Sequence, residues 1–219
     1  MTPAHASRTT LIAQFALLCA IIVLMAFTPL GYLRVGIIEA TLLMIPVALG
    51  AIRLGPLYGG LLGAVFGATS FAQCFGVSPF GTMLFSIDPL ATFVVCLVPR
   101  ILMGVLVALI YRALAGRHRN ADLPALSDDQ PSRSRDNLAL GGAFASSALL
   151  NTILFVTLFL LLFGRSQFVT ELASGKPLLA FIASLIGLNG IAELVVATTA
   201  GTAIGAAVQR ATGAIRPRD

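Results

Sequence analysis

Tryptophan is absent from this chain of 219 residues, and charged side chains make up only 11% of it. A soluble domain usually carries about 25% charged residues. The two histidines and three cysteines show neither metal-ligand spacing nor a C-x-x-C motif, so we expect no zinc site and no disulfide framework. The G-x-x-x-x-G-K-[ST] motif is also missing, and with it any basis for ATP binding through a P-loop.

Apolar side chains, in contrast, are abundant. Hydrophobic residues form 58% of the chain, which also has 21 glycines and a mean hydropathy of +0.96. A soluble domain of this length could not hide so much apolar surface from water. We therefore predict an all-α integral membrane protein.

Six apolar stretches approach the length of about 20 residues that a membrane-spanning helix needs. They cover residues 10–28, 36–52, 57–72, 89–114, 138–163 and 177–209. Residues 73–88 are predicted to form an outer loop, and the polar segment 115–137 a solvated cytoplasmic linker. Residues 1–219 thus form a single membrane domain, a bundle of six transmembrane helices.

The distribution of positive charge predicts the orientation of this bundle. With the N and C termini in the cytoplasm, ten of the 14 Lys and Arg residues lie inside and three outside, with Arg100 within a span. This excess agrees with the positive-inside rule. The basic residues lie at span ends and in the linker rather than along a groove, so we expect no nucleic-acid partner.

Four polar residues are predicted to share one depth in the membrane. At about 1.5 Å per residue, Arg100 lies about 16 Å below the outer end of its helix, and Asn151 and Asn189 about 18 Å below theirs. Glu193 follows Asn189 by one helical turn. Ionisable groups at such depth mark a functional site or a buried pair. Two compatible interpretations remain: an Arg100–Glu193 ion pair, or the floor of a solute-binding pocket.

Other candidate ligand-binding residues lie nearer the outer surface. Glu39 is predicted near the outer end of the second helix, where it could instead extend to the interface. Ser78 and Thr82 belong to the 73–88 segment, in which polar side chains alternate with phenylalanines. Such a segment could cover a pocket or be a plain interfacial loop.

Small residues form stripes on three helices, where they allow backbones to approach closely. Gly59, Gly63 and Gly67 form one stripe, and residues 197, 201 and 205 another. Ala16 and Ala20 form a shorter one on the first helix. Packing within the bundle and docking to another membrane protein both explain this last pair.

Catalytic chemistry finds no support in the sequence. No histidine lies in a predicted span to serve as a base near a serine, and no paired aspartates occur on facing helices. We expect no catalytic residue, no metal and no cofactor. The pattern favours a binding or transport protein.

Several segments resemble the substrate-binding S components of energy-coupling factor (ECF) vitamin transporters. The segments are LGYLRVGIIEAT (30–41), IPVALGAI (45–52), LGPLYGGLLGAVFGATS (54–70), PRILMG (99–104) and GLNGIAE (187–193). The resemblance implies a six-helix protein of a bacterial cell membrane that captures a vitamin or precursor from outside. It also implies three partner subunits, namely a transmembrane T component and two ATPases.

The resemblance further assigns roles to particular residues. Ala16 and Ala20, with Ala13 nearby, match the family's docking surface for the T component. Tyr32 and Arg34 lie in the segment that matches its outer gate loop.

The local segments are most similar to the pantothenate-type branch of the family. A buried arginine with two amides also suits a ligand that carries a carboxylate and hydroxyls. Pantothenate is therefore ranked first, and riboflavin, folate, pyridoxine and hydroxymethylpyrimidine ligands remain alternatives. Two other classes remain open. Transport without an ATPase would indicate a stand-alone secondary carrier, and turnover of a bound substrate would indicate a small membrane enzyme.

Overall fold

The computed structural model describes residues 8–28, 31–34, 39–119, 131–167, 169–170 and 178–214. Within these ranges the chain forms seven helices and a two-stranded hairpin. The helices are α1 (Arg8–Ala26), α2 (Met44–Leu54), α3 (Pro56–Gln73), α4 (Pro79–Ile87), α5 (Pro89–Arg119), α6 (Pro131–Phe163) and α7 (Leu178–Ala214). The antiparallel strands are β1 (Tyr32–Arg34) and β2 (Glu39–Thr41), which pair Tyr32 with Thr41.

Proline and capping residues explain where several helices begin. Pro56, Pro79 and Pro89 each open a helix, at a position where the missing N–H would have no partner anyway. Ser78 caps α4 by accepting a hydrogen bond from the Gly81 N–H at 3.3 Å. Asp88 caps α5, since its Oδ1 accepts from the Ala91 N–H at 2.9 Å.

Two predicted segments differ from the structure. The expected helix over 36–52 begins only at Met44, because residues 39–41 pair with β1 instead. The expected outer loop over 73–88 contains α4, because Ser78 and Pro79 supply an N-cap and a first helical residue.

The polar linker predicted over 115–137 is also shorter than expected. Helix α5 continues to Arg119 and α6 begins at Pro131, so both helices extend into it. The remaining residues, 120–130, lie outside the described part.

Three of the described helices are long and apolar enough to cross a membrane, namely Arg8–Ala26, Pro89–Ala115 and Asn137–Phe163. Helix α3 packs along α5, α5 against α6, and α6 against α7. Helices α1 and α2 pack against α3. The main hydrophobic core lies between these elements, with Phe66, Met103 and Phe144 fully buried.

The glycine stripes act as packing surfaces. A Cβ atom at Gly67 would lie 2.8 Å from the Cys96 carbonyl oxygen, and one at Gly59 or Gly63 would collide with the α5 backbone. On α7, a Cβ at Gly201 would meet the ring of Phe144. The glycines therefore let α3 and α7 approach their neighbours closely.

Candidate functional site

A cavity opens between the hairpin, the C-terminal end of α3, α4, and the middle parts of α5, α6 and α7. The centre of a water molecule can occupy about 110 Å³ of it, and the whole space is about 900 Å³ when the open mouth is included. Its surface is mostly apolar. The described lining residues are Tyr32, Thr41, Ser70, Gln73, Cys74, Ser78, Phe80, Gly81, Leu84, Val95, Cys96, Arg100, Asn151, Thr152, Phe155, Val156, Gly190 and Glu193.

Arg100 lies in the wall of this cavity, with 9% of its surface exposed. Its Nη1 donates a hydrogen bond to the Val95 carbonyl oxygen at 2.7 Å, and the guanidinium carbon lies 4.9 Å from the ring centroid of Phe155 and 5.4 Å from that of Phe66. The Nε atom is buried and has no hydrogen-bond partner. The guanidinium is thus held in place and still retains a donor for a ligand.

Glu193 connects α7 to the hairpin and to α6. Its Oε1 accepts from the Thr41 N–H at 2.7 Å, and its Oε2 accepts from the Thr152 hydroxyl at 3.3 Å. Within the described residues, no ion pair joins Glu193 to Arg100, whose Nη1 is bound to a backbone carbonyl instead. The ion-pair interpretation is therefore not the arrangement observed.

Asn151 faces the same cavity from α6. Only 5% of its surface is exposed, and its Oδ1 is buried without a hydrogen-bond partner. Buried polar atoms normally find a partner, and leaving one unpaired costs about 1–3 kcal/mol. A cavity whose wall holds an unpaired donor on Arg100 and an unpaired acceptor on Asn151 is suited to a ligand that supplies both partners.

Aromatic side chains of α4 and α6 form part of the cavity wall. Phe80 of α4 lies against Phe155 and Phe159 of α6, with ring centroids 6.5 and 5.6 Å apart. Tyr32 of the hairpin shares a hydrogen bond with the Ser70 hydroxyl at 3.0 Å. The hairpin that carries the predicted gate residues therefore forms part of the wall.

The structure brings some predicted site residues together and separates others. Arg100, Asn151, Glu193, Ser78 and Tyr32 line the cavity. Thr82 is not among the described lining residues. Its hydroxyl donates to the Ser78 carbonyl oxygen at 2.8 Å. The side chains of Arg34, Glu39 and Asn189 lie outside the described part.

Several cavity residues escaped the sequence analysis. Thr41 and Thr152 bind Glu193, while Gln73 donates from Nε2 to the Ala26 carbonyl oxygen at the end of α1, at 2.7 Å. The only sequence signal for Thr152 was its position next to Asn151. Cys74 and Cys96, far apart in sequence, meet in the wall with their Sγ atoms 4.0 Å apart.

The small residues of α1 do not pack inside the bundle. Ala13, Ala16 and Ala20 are exposed, as are Leu17 and Leu24, at 62% and 63%. The buried residues of α1 are Leu18, Ile22 and Ala26. Helix α1 therefore presents an apolar, small-residue face to its surroundings, which is incompatible with internal packing of this stripe.

Comparisons with known sequences identify the family of the chain. A family model described as the substrate-specific component of ECF transporters matches residues 11–204. The chain belongs to this family. It is also 29% identical over 185 residues to the pantothenic acid transporter PanT of Lactococcus lactis subsp. cremoris (strain MG1363), a match that covers 80% of each chain.

Membership confirms the resemblance that the sequence segments suggested. A substrate-specific ECF component is a membrane transport protein rather than an enzyme. In general, such a component has a small-molecule ligand and works with T and ATPase partners. The cavity described above contains two unpaired polar atoms in its wall, Arg100 Nε and Asn151 Oδ1.

Proposed function

We propose that this ECF component captures pantothenate from outside a bacterial cell membrane and delivers it to a transporter complex. The observation that carries the proposal is the pair of buried, unpaired atoms in the cavity wall, Arg100 Nε and Asn151 Oδ1. The similarity to a pantothenic acid transporter supports the choice of ligand.

The chemistry of pantothenate complements this wall. The ligand carries one carboxylate, one amide and two hydroxyls around a branched apolar centre. Its carboxylate would accept from Arg100 Nε in a charge-assisted hydrogen bond. A hydroxyl or the amide N–H would donate to Asn151 Oδ1, and the apolar centre would lie against Phe80 and Phe155.

We further propose that α1, α2, α3, α5, α6 and α7 are the six membrane-crossing helices, with both termini in the cytoplasm. Helix α4 would lie at the outer side, above the cavity. The eleven residues of α2 cover only about 16 Å, which is less than the thickness of the membrane. The hairpin would cover the remaining distance between α2 and the outer surface. The charge asymmetry of the sequence supports this orientation.

Helix α1 is the proposed contact for the T component, which would in turn bind two ATPase subunits. The support is the exposure of Ala13, Ala16 and Ala20 on one side of the helix. An exposed face of small residues permits close helix–helix approach within lipid. Transport would then need partners, unlike that of a stand-alone secondary carrier.

Equilibrium binding of labelled pantothenate to the purified protein tests the proposed ligand. Asn151→Leu removes the unpaired acceptor at similar size, together with the side-chain hydrogen bond to Glu193, and should weaken binding by about tenfold, or 1.4 kcal/mol. Thr199→Val is the matched control, because Thr199 is exposed on α7 and bonds to the Val195 carbonyl oxygen of its own helix. No measurable binding of labelled pantothenate, or its displacement by riboflavin, folate, pyridoxine or hydroxymethylpyrimidine at lower concentration than by unlabelled pantothenate, would contradict the proposal.

A further inference from the structure

Helix α5 contains a proline in its interior, Pro99, four residues after Val95. In an α-helix the N–H of each residue donates to the carbonyl oxygen four residues earlier. Proline has no N–H, so Pro99 leaves the Val95 carbonyl without its helical partner. In a membrane interior, where water cannot replace that partner, such a group is costly.

The side chain of the next residue replaces the missing donor. Arg100 Nη1 donates to the Val95 carbonyl oxygen at 2.7 Å, and both residues line the cavity. This bond directs the guanidinium towards the outer end of α5, beside the ring of Phe155. The anchoring atom is a neutral carbonyl oxygen, and the nearby Glu193 carboxylate, whose charge interacts with that of Arg100, makes no direct ion pair with it.

We propose that Pro99 is a positioning residue that determines ligand specificity through Arg100. By freeing one backbone carbonyl, Pro99 fixes the guanidinium in the orientation that leaves Nε unpaired within the cavity wall. The ligand group recognised there is a carboxylate. This inference rests on the proposed function, because it assumes that the cavity binds pantothenate.

A purely structural role for Pro99 predicts something different. If the proline only shapes α5, its removal should alter the binding of every ligand of this size to the same extent. If it positions Arg100, its removal should affect only ligands that carry the carboxylate. Pantothenol, in which an alcohol replaces the carboxylate of pantothenate, separates the two cases.

The test compares pantothenate and pantothenol binding to wild-type protein and to Pro99→Ala. Alanine restores the N–H that competes with Arg100 for the Val95 carbonyl. Affinity for pantothenate should fall about tenfold, or 1.4 kcal/mol, while affinity for pantothenol changes less than about twofold. The thermal midpoint should not fall, because alanine is the better residue inside a helix.

Pro89→Ala is the matched control on the same helix. Pro89 opens α5, where a backbone N–H has no helical partner, and both affinities should stay at the wild-type value. In an Arg100→Met background, Pro99→Ala should change neither affinity, because its effect passes through the guanidinium.

Three results would overturn the inference. One is an equal loss of both ligands in Pro99→Ala, and another is no loss of pantothenate. The third is a further loss in the Arg100→Met background. Wild-type protein that binds neither compound would instead contradict the proposed function, and the assignment of Pro99 with it.

Discussion

Gly63 lies where α3 crosses α5 beside Arg100, so Gly63→Ala tests how tightly the cavity wall is built. A Cβ atom there would lie 2.7 Å from the Arg100 carbonyl carbon and 3.0 Å from Ile101 Cα, and closer still to the Arg100 carbonyl oxygen. All three neighbours are backbone atoms, which no rotamer change can move away. The added methyl group must therefore push the two helices apart.

The cost follows from this geometry. Forcing one extra carbon into a packed interface typically costs about 1–3 kcal/mol. At about 2–4 °C per kcal/mol for a chain of 150–250 residues, the thermal midpoint in detergent should fall by about 2–12 °C. Because the displaced backbone carries Arg100, pantothenate binding should weaken as well.

Gly141→Ala provides the control for this experiment. Among the described residues, a Cβ at Gly141 would meet only the Thr202 hydroxyl, at an ordinary 3.4 Å, and alanine favours a helix over glycine by about 0.5–1 kcal/mol. The thermal midpoint of the Gly141→Ala protein should equal or exceed that of the wild type. A Gly63→Ala protein that melts at or above the wild-type temperature would refute the proposed packing of α3 on α5.

Three further predictions concern binding, docking and topology. Arg100→Met should weaken pantothenate binding about 10- to 150-fold, as expected for the loss of a charged hydrogen bond of about 1.5–3 kcal/mol; unaltered affinity in a folded protein would exclude the carboxylate contact. Ala16→Trp with Ala20→Trp should leave the affinity of the isolated protein within about threefold, or under 1 kcal/mol, but reduce uptake by the complete transporter to background; normal uptake would exclude α1 as the docking face. A cysteine that replaces Ser127, in a background without the native cysteines, should react with a membrane-impermeant reagent only in opened cells. Labelling in intact cells would show that the segment lies outside and would contradict the proposed orientation.

The sequence predicts those parts of the fold in which the lipid environment restricts the residue types that can be tolerated. An ionisable side chain deep in an apolar stretch needs a reason to be there, which is why Arg100 and Glu193 could be identified together with Asn151. The glycine stripe of α3 was equally readable, because small residues at every fourth position form one helix face.

The hairpin and most of the polar cavity wall could not be predicted in this way. Three-residue strands are too short to show a period, and Thr41 is recognisable as a Glu193 partner only once the hairpin folds onto α7. Gln73 and Ser70 are uncharged residues near a helix end, where polar side chains are common. Helix α4, in contrast, was readable from Ser78 and Pro79, but the nearby glycines and prolines were interpreted as a loop.

Native mass spectrometry of the gently purified protein tests the central claim most directly. We expect one bound small molecule per chain with the mass of pantothenate, absent from the Arg100→Met and Asn151→Leu double variant. Ligand-free wild-type protein should regain that mass when pantothenate is added. A co-purified vitamin of a different mass, which excess pantothenate fails to displace, would contradict the proposed ligand.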